Sequence, residues 1–315
     1  MKSVTKKTTT EKKSVKRTPQ VRGRKAVAPT SKKEPSAPPL KRPKSSKSAK
    51  RKRSVKNPHI AQLGALQKQF VISIPSKDHR TFVERMERFV PENPNYWVSV
   101  EKAKSSREKY VAGLFDPDRL TKRVAAINRG ARLVFSAASW NNPTAGPKEN
   151  ISMARGQQWR MAMAWTGCEL LCDSLFPRIK DFDGDVISEW CRILGLDQMN
   201  EMIPVPRGLM RSNKTRSLWK EEVAILDFLG VRGGRPRTIL NGWWINKNPI
   251  LTYGSALHAT RGLRDVTMHG LMSANRVEKF GLSTVGREEE FSILDRLVGV
   301  TVDVTVATMR RLLEK

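Results

Sequence analysis

The sequence predicts an all-α fold, an antiparallel helical bundle preceded by a disordered basic arm. Three observations predict it. From Pro58 onward, segments of helical period follow one another, broken by short Pro, Gly and Asn stretches. Alternating apolar and polar runs are scarce, Phe70–Ile74 and Thr238–Ile245 being the best strand candidates. The first fifty-seven residues contain no Phe, Trp or Tyr and are dominated by Lys, Arg, Ser, Thr and Pro.

The arm comes first. The 315 residues hold 59 Lys and Arg against 30 Asp and Glu, a net charge of +29. Met1–Asn57 carry 21 of the cations and two acids, Glu11 and Glu34, leaving 38 and 28 for the rest. So small an apolar content does not offset the entropy of ordering the chain, and disorder is expected. Lys41, Arg42 and Lys44, then Lys50, Arg51, Lys52 and Arg53, form dense cationic runs. Such runs neutralise phosphates and release counterions, which gives affinity without sequence reading. The same residues fit a nuclear localisation signal in a eukaryotic host, and a solubilising tail is the plainer account.

The helices follow in order. Phe82, Val83, Met86 and Phe89 share one helical face, ended by Pro91 and Pro94. Asp116 or Asp118 caps a long helix to about Trp140, with Val124, Ile127, Ala131, Val134 and Ala138 as its apolar stripe. Asn141–Asn150 reads as a loop. Ser152–Phe176 is apolar on much of its surface, with Trp159, Met163, Thr166 and Leu170 at helical steps, and suits a central bundle helix. Asp185–Leu194 and Ser217–Leu229 are shorter helices. Gly230–Arg237 reads as a flexible basic loop presenting Arg232, Arg235 and Arg237 to a phosphate backbone. Trp243 and Trp244 behind it suit base stacking or, on slightly better grounds, the core. Ser255–Met272 and Glu288–Leu313 close the chain as helices. Domain boundaries are placed at 1–57, 58–150 and 151–315.

Other classes are excluded. No apolar run is long enough to span a bilayer, and no secretory leader is evident at the N-terminus. Cys168, Cys172 and Cys191 make no disulfide framework and no metal-ligand spacing. No cofactor motif appears, and Asp181, Asp183 and Asp185 lack the rest of a calcium loop. No cofactor, metal or membrane is expected; the location is cytoplasmic, or nuclear in a eukaryote.

Candidate chemistry concentrates in Ser255–Met272. Ala259, Leu263, Val266 and Gly270 cluster on one face, and His258, Arg261, Asp265 and His269 fall on the other. There Arg261 and His258 are candidate nucleic-acid contacts, and His258 is a second proton-transfer group or, on better grounds, a plain surface histidine. Asp265 and His269 are i,i+4 neighbours, so the carboxylate is expected to orient the imidazole. Gly270 leaves space beside it. A solvated charged face is the plain alternative.

Leu263–Gly270 (LRDVTMHG) resembles the signature of HEPN domains, an arginine, a polar residue, a short spacer, a histidine and often glycine. The resemblance covers about Ser152 to the C-terminus; asparagine is commoner in the family at the position of Asp265. It implies a dimeric α-helical bundle and metal-independent RNA cleavage, with Arg264 and His269 of two copies in one cleft. It also implies an antitoxin or regulatory partner, and it makes Glu169, on the preceding long helix, the candidate acid. In that chemistry the ribose 2′-OH is the nucleophile, and an imidazole of unperturbed pKa about 6.5 moves its proton. Arg264 holds the phosphate and Asp265 orients His269. RNA is therefore expected over DNA. Two alternatives stand beside this one: a non-catalytic packaging or scaffold protein of nucleocapsid type, and a HEPN bundle whose motif binds a nucleotide or a partner.

Overall fold

The computed structural model describes residues 58–73, 79–92, 94, 96–97, 106–140, 149–176, 184–206, 215–232, 234–283 and 292–314. The whole arm, with Lys41, Arg42, Lys44, Lys50, Arg51, Lys52 and Arg53, lies outside them, as do Asp181 and Asp183.

The described elements are mostly helical: α1 (Pro58–Ser73), α2 (His79–Glu87), α3 (Arg107–Leu114), α4 (Pro117–Ser139), α5 (Glu149–Leu175), α6 (Gly184–Leu194), β1 (Gln198–Ile203), α7 (Thr215–Arg232), α8 (Gly234–Trp244), β2 (Ile250–Thr252), α9 (Tyr253–Met268), α10 (Ala274–Lys279) and α11 (Ile293–Leu313). They belong to one unit, Arg53–Lys315, so α1 and α4 share a core with α5 and α11 across the boundary placed at 150.

Local chemistry starts these helices as expected. Asp116 Oδ1 accepts from the Asp118 and Arg119 amides at 3.1 and 3.3 Å, with Pro117 as the first helical residue of α4. Ser292 caps α11, and Thr252, the last residue of β2, caps α9. Eight of the 21 residues of α11 are Val or Thr, weak helix formers. Burial decides its state: thirteen of its residues are buried, and the hydroxyls of Thr301, Thr305 and Thr308 donate to carbonyls one turn back at 2.7 Å each.

The tightest packing joins α4 to α5. They run antiparallel, with Gly130 against Gly167, and Arg160 Nε donates to the Ala137 carbonyl at 2.9 Å near the other end. Arg160 also pairs with Asp295 of α11 at 2.7 Å. Tyr110 of α3 donates to the Leu175 carbonyl. Helix α1 lies across α4 and α11, where His59 Nδ1 stands 2.6 Å from Asp303.

The structure corrects the strand assignments. Phe70–Ser73 belong to α1, and Thr238–Trp244 to α8; Ile74 is outside the described residues. The strands present among the described residues, β1 and β2, form one antiparallel pair. That pair fastens the end of α6 to the start of α9, while α7 and α8 make the excursion between them. Trp243 and Trp244 are core residues, stacked at 6.1 Å, with Trp244 also stacked on Phe280 at 5.6 Å.

The segment read as a flexible basic loop, Gly230–Arg237, is helical on both sides of Gly233, which lies outside the described residues. Gly230–Arg232 complete α7, and Gly234–Arg237 open α8. Pro236 is tolerated because it stands in the first turn. A Cβ at Gly230 would meet the Arg237 guanidinium at 2.7 Å, a contact that the half-exposed arginine side chain can relieve by moving. Glu149 and Asn150, read as loop, begin α5.

Candidate nucleic-acid site

The site grows from the C-terminal half of α9. Of the face read as Ala259, Leu263, Val266 and Gly270, the first three are buried and seat the helix on its neighbours, while Gly270 is exposed beyond the helix end. Gln158 of α5 donates to the Met272 carbonyl at 2.7 Å and lies 3.5 Å from the Thr267 hydroxyl, fixing the end of α9 against α5. Gly270 then stops the helix at φ 75°, a left-handed conformation, with nothing within 4 Å of a Cβ built there. Its first reason is backbone geometry, and open space beside His269 accompanies it.

Arg264 points from α9 toward α5 into a pair of carboxylates. Its Nη1 donates to Asp265 at 2.8 Å, and its Nη2 stands 3.5 Å from Glu169. Burial pushes the Glu169 carboxyl up from the usual carboxylate range, the Arg264 guanidinium pulling it back and Asp173 and Asp265 adding to the rise. The Arg264 Nε is buried and makes no hydrogen bond. The structure thus brings together Glu169, Arg264 and Asp265, three residues named from the sequence.

His269 is placed otherwise. The Asp265 carboxylate is turned to Arg264, so the expected orienting bond to His269 is not made. What holds His269 is its backbone amide, which donates to the Asp265 carbonyl at 3.0 Å, and the Phe228 ring at 5.1 Å. The Arg232 guanidinium covers Phe228 at 5.5 Å from the ring centroid. His269, Phe228 and Arg232 therefore form a second cluster, between the ends of α7 and α9, with the imidazole exposed. Sequence reasoning missed Phe228; its place one turn before Arg232 was the available signal.

His258 is a correction. The helical period puts it on the solvent face with Arg261, yet it is 2 % exposed and neither ring nitrogen has a hydrogen-bond partner. Burial, with Arg261 and Arg235 nearby, lowers its pKa to about 4. It is neutral at physiological pH and is not a phosphate contact. Residues 256–260 of α9 are all buried, so a two-faced helix is the wrong picture there. Arg235 is exposed at the start of α8, and Arg261 is half-buried. Arg237 pairs with Asp227 at 3.4 Å.

The three cysteines are buried. Burial raises Cys168 and Cys191 to about 12 and Cys172 well above the ordinary thiol, so none is a thiolate nucleophile. Among the described residues, no group of three or more His, Cys, Asp or Glu side chains is placed to hold a metal ion. No described helix is long and apolar enough to cross a membrane.

The chain matches no family model, no curated protein and no solved structure. The geometry of the site is therefore what bears on function.

Proposed function

We propose that the chain binds RNA and cleaves it, without a metal ion, at the end of α9, in the manner of a HEPN-type ribonuclease working as two copies. The observation that supports this reading is the meeting of Glu169 from α5 with Arg264 and Asp265 from α9, one turn before the exposed His269. A forked cation of fixed orientation and a solvent-facing imidazole are the two groups that phosphodiester transfer within RNA uses. The 2′-oxygen attacks phosphorus while His269 takes its proton. The bond from phosphorus to the 5′-oxygen breaks, and that oxygen takes a proton from solvent. The products are a 2′,3′-cyclic phosphate and a 5′-hydroxyl.

The two carboxylates set a condition on this chemistry. A phosphate reaches Arg264 only by sharing or displacing them. The raised pKa of Glu169 eases that step, because a protonated Glu169 no longer competes for the guanidinium. Glu169→Gln mimics that state. It is expected to tighten RNA binding about five-fold at pH 8, the order of one partly buried ion pair released. Filter binding to a single-stranded RNA checks this; weaker binding by the variant would instead make Glu169 a direct contributor.

The first test of the function is turnover in EDTA. The full chain is expected to cut labelled single-stranded RNA there, and His269→Ala to slow the cut at least ~100-fold with an unchanged circular dichroism spectrum. Stoichiometric, salt-sensitive binding with no turnover would favour the packaging role.

A further inference from the structure

A second feature is carried by α4 and α5, away from Arg264 and His269. Lys122, Arg129 and Arg132 occupy one solvent-exposed row of α4, at steps of seven and three residues. Among the described residues none of the three is in an ion pair, whereas Arg160, Arg192, Arg237, Arg264, Arg276 and Arg296 all are. A solvated helix face usually mixes its charges, and α7 does so with the exposed Lys220 and Asp227. The exposed row of α4 has cations alone past its first turn, Asp118 being the only acid of the helix.

The row leads to two exposed indoles. Five of the eight tryptophans, Trp97, Trp165, Trp190, Trp243 and Trp244, are buried. Trp140 and Trp159 are 42 % and 50 % exposed. They lie at the same end of the α4–α5 pair, because Arg160, next to Trp159, donates to the carbonyls of Ala137 and Ala138, just before Trp140. Arg155, exposed, stands one turn from Trp159. Large exposed aromatics are informative where a core with room for five others exists. Cations along a track with aromatic rings at its end form the pattern that holds phosphates while bases stack.

We infer that the exposed row of α4, continued by Trp140, Trp159 and Arg155, is a track for single-stranded RNA. This rests on the RNA-binding reading above. The track runs about 27 Å from Lys122 to Trp140 at the helical rise. The cations take the backbone, and the indoles take unpaired bases. It supplies affinity and directs the strand; the end of α9 does the chemistry.

The test uses the full chain and a fluorescent twenty-nucleotide oligouridylate, with anisotropy titrations at several salt concentrations. Lys122→Ala/Arg129→Ala/Arg132→Ala is expected to flatten the salt slope by about 2, near 0.7 for each cation lost on a single strand. Affinity should fall at least ~10-fold at low salt. Trp159→Ala is expected to weaken binding ~5-fold or more with the slope kept, as loss of a stacked base does. Alanine at these exposed helical positions preserves the fold, and far-UV circular dichroism confirms it. Lys220→Ala, on α7, should change neither quantity beyond the loss of one distant charge. A triple variant that binds like the parent, while the parent binds RNA, overturns the track and leaves RNA binding standing. A parent that binds no RNA overturns both, and tighter binding to duplex than to single strand overturns the single-stranded assignment.

Discussion

Gly167→Val is expected to destabilise the protein by about 3 kcal/mol or more, the upper range for overpacking against backbone. A Cβ at Gly167 would meet the Gly130 carbonyl oxygen at 2.6 Å, Val134 Cγ2 at 2.7 Å and the Val134 amide nitrogen at 3.0 Å. Two of those atoms are backbone, so no rotamer change relieves the contact. Helices α4 and α5 would have to move apart, and the Arg160 bonds to the end of α4 and the pair with Asp295 depend on their present spacing. Against this stands the helix preference that any residue gains over glycine, about 1 kcal/mol for alanine and less for valine. The clash is larger, so even Gly167→Ala should destabilise. Gly242 in α8 is the internal control: a Cβ there meets nothing within 4 Å, and Gly242→Ala should stabilise by up to about 1 kcal/mol. Urea midpoints of the three variants and the parent check the ordering. Equal midpoints for Gly167→Ala and Gly242→Ala would mean that the two helices do not cross at the glycines.

His258 should make stability depend on pH in a defined window. Its pKa falls from 6.5 unfolded to about 4 folded. A depressed folded pKa means that the unfolded chain binds the proton first. Its contribution is therefore complete above pH 6.5 and is lost as pH falls toward 4, by roughly 3 kcal/mol in all. Many carboxylates titrate in the same range, so the comparison must be with a variant. His258→Leu fills the buried site without an ionisable group and without unpartnered nitrogens. The stability difference between variant and parent should grow by about 2.5 kcal/mol between pH 7.5 and pH 4.5. A difference that stays constant with pH would place His258 in contact with water.

The elements were legible wherever a cap and a period agreed. The cap read as Asp116 or Asp118 is Asp116, and of the stripe Val124, Ile127, Ala131, Val134 and Ala138 the structure buries the last four and leaves Val124 partly buried. Helix α5 was legible as an element but not as a surface. It is apolar nearly all round, and the row Trp159, Met163, Thr166 and Leu170 is its least buried one. The row that enters the core contains Ala164, Gly167, Cys168 and Leu171, because close approach to α4 selects small residues rather than large ones. Glycines and Pro236 at the junction of α7 and α8 resemble a loop, yet Pro236 suits the first turn of a helix and a Cβ at Gly234 would meet nothing within 4 Å. Arg264 and Glu169, distant in sequence, were paired from the resemblance alone. Periodicity gives no means of joining residues of two helices, and it gave the wrong partner for Asp265, which binds Arg264 rather than His269. The row of α4 cations is not legible in the sequence as a surface, because charge on a helix carries no meaning until its neighbours are known.

The central claim, RNA cleavage at Arg264 and His269, is tested most directly by the chemistry of the cut ends. The full chain, Arg264→Ala and His269→Ala are incubated with end-labelled single-stranded RNA in EDTA, and the fragments are resolved by mass. The parent should yield 2′,3′-cyclic phosphate and 5′-hydroxyl ends, and both variants should yield neither above background while still binding the RNA. Fragments ending in 5′-phosphate, or the same cyclic ends from all three proteins, would contradict it.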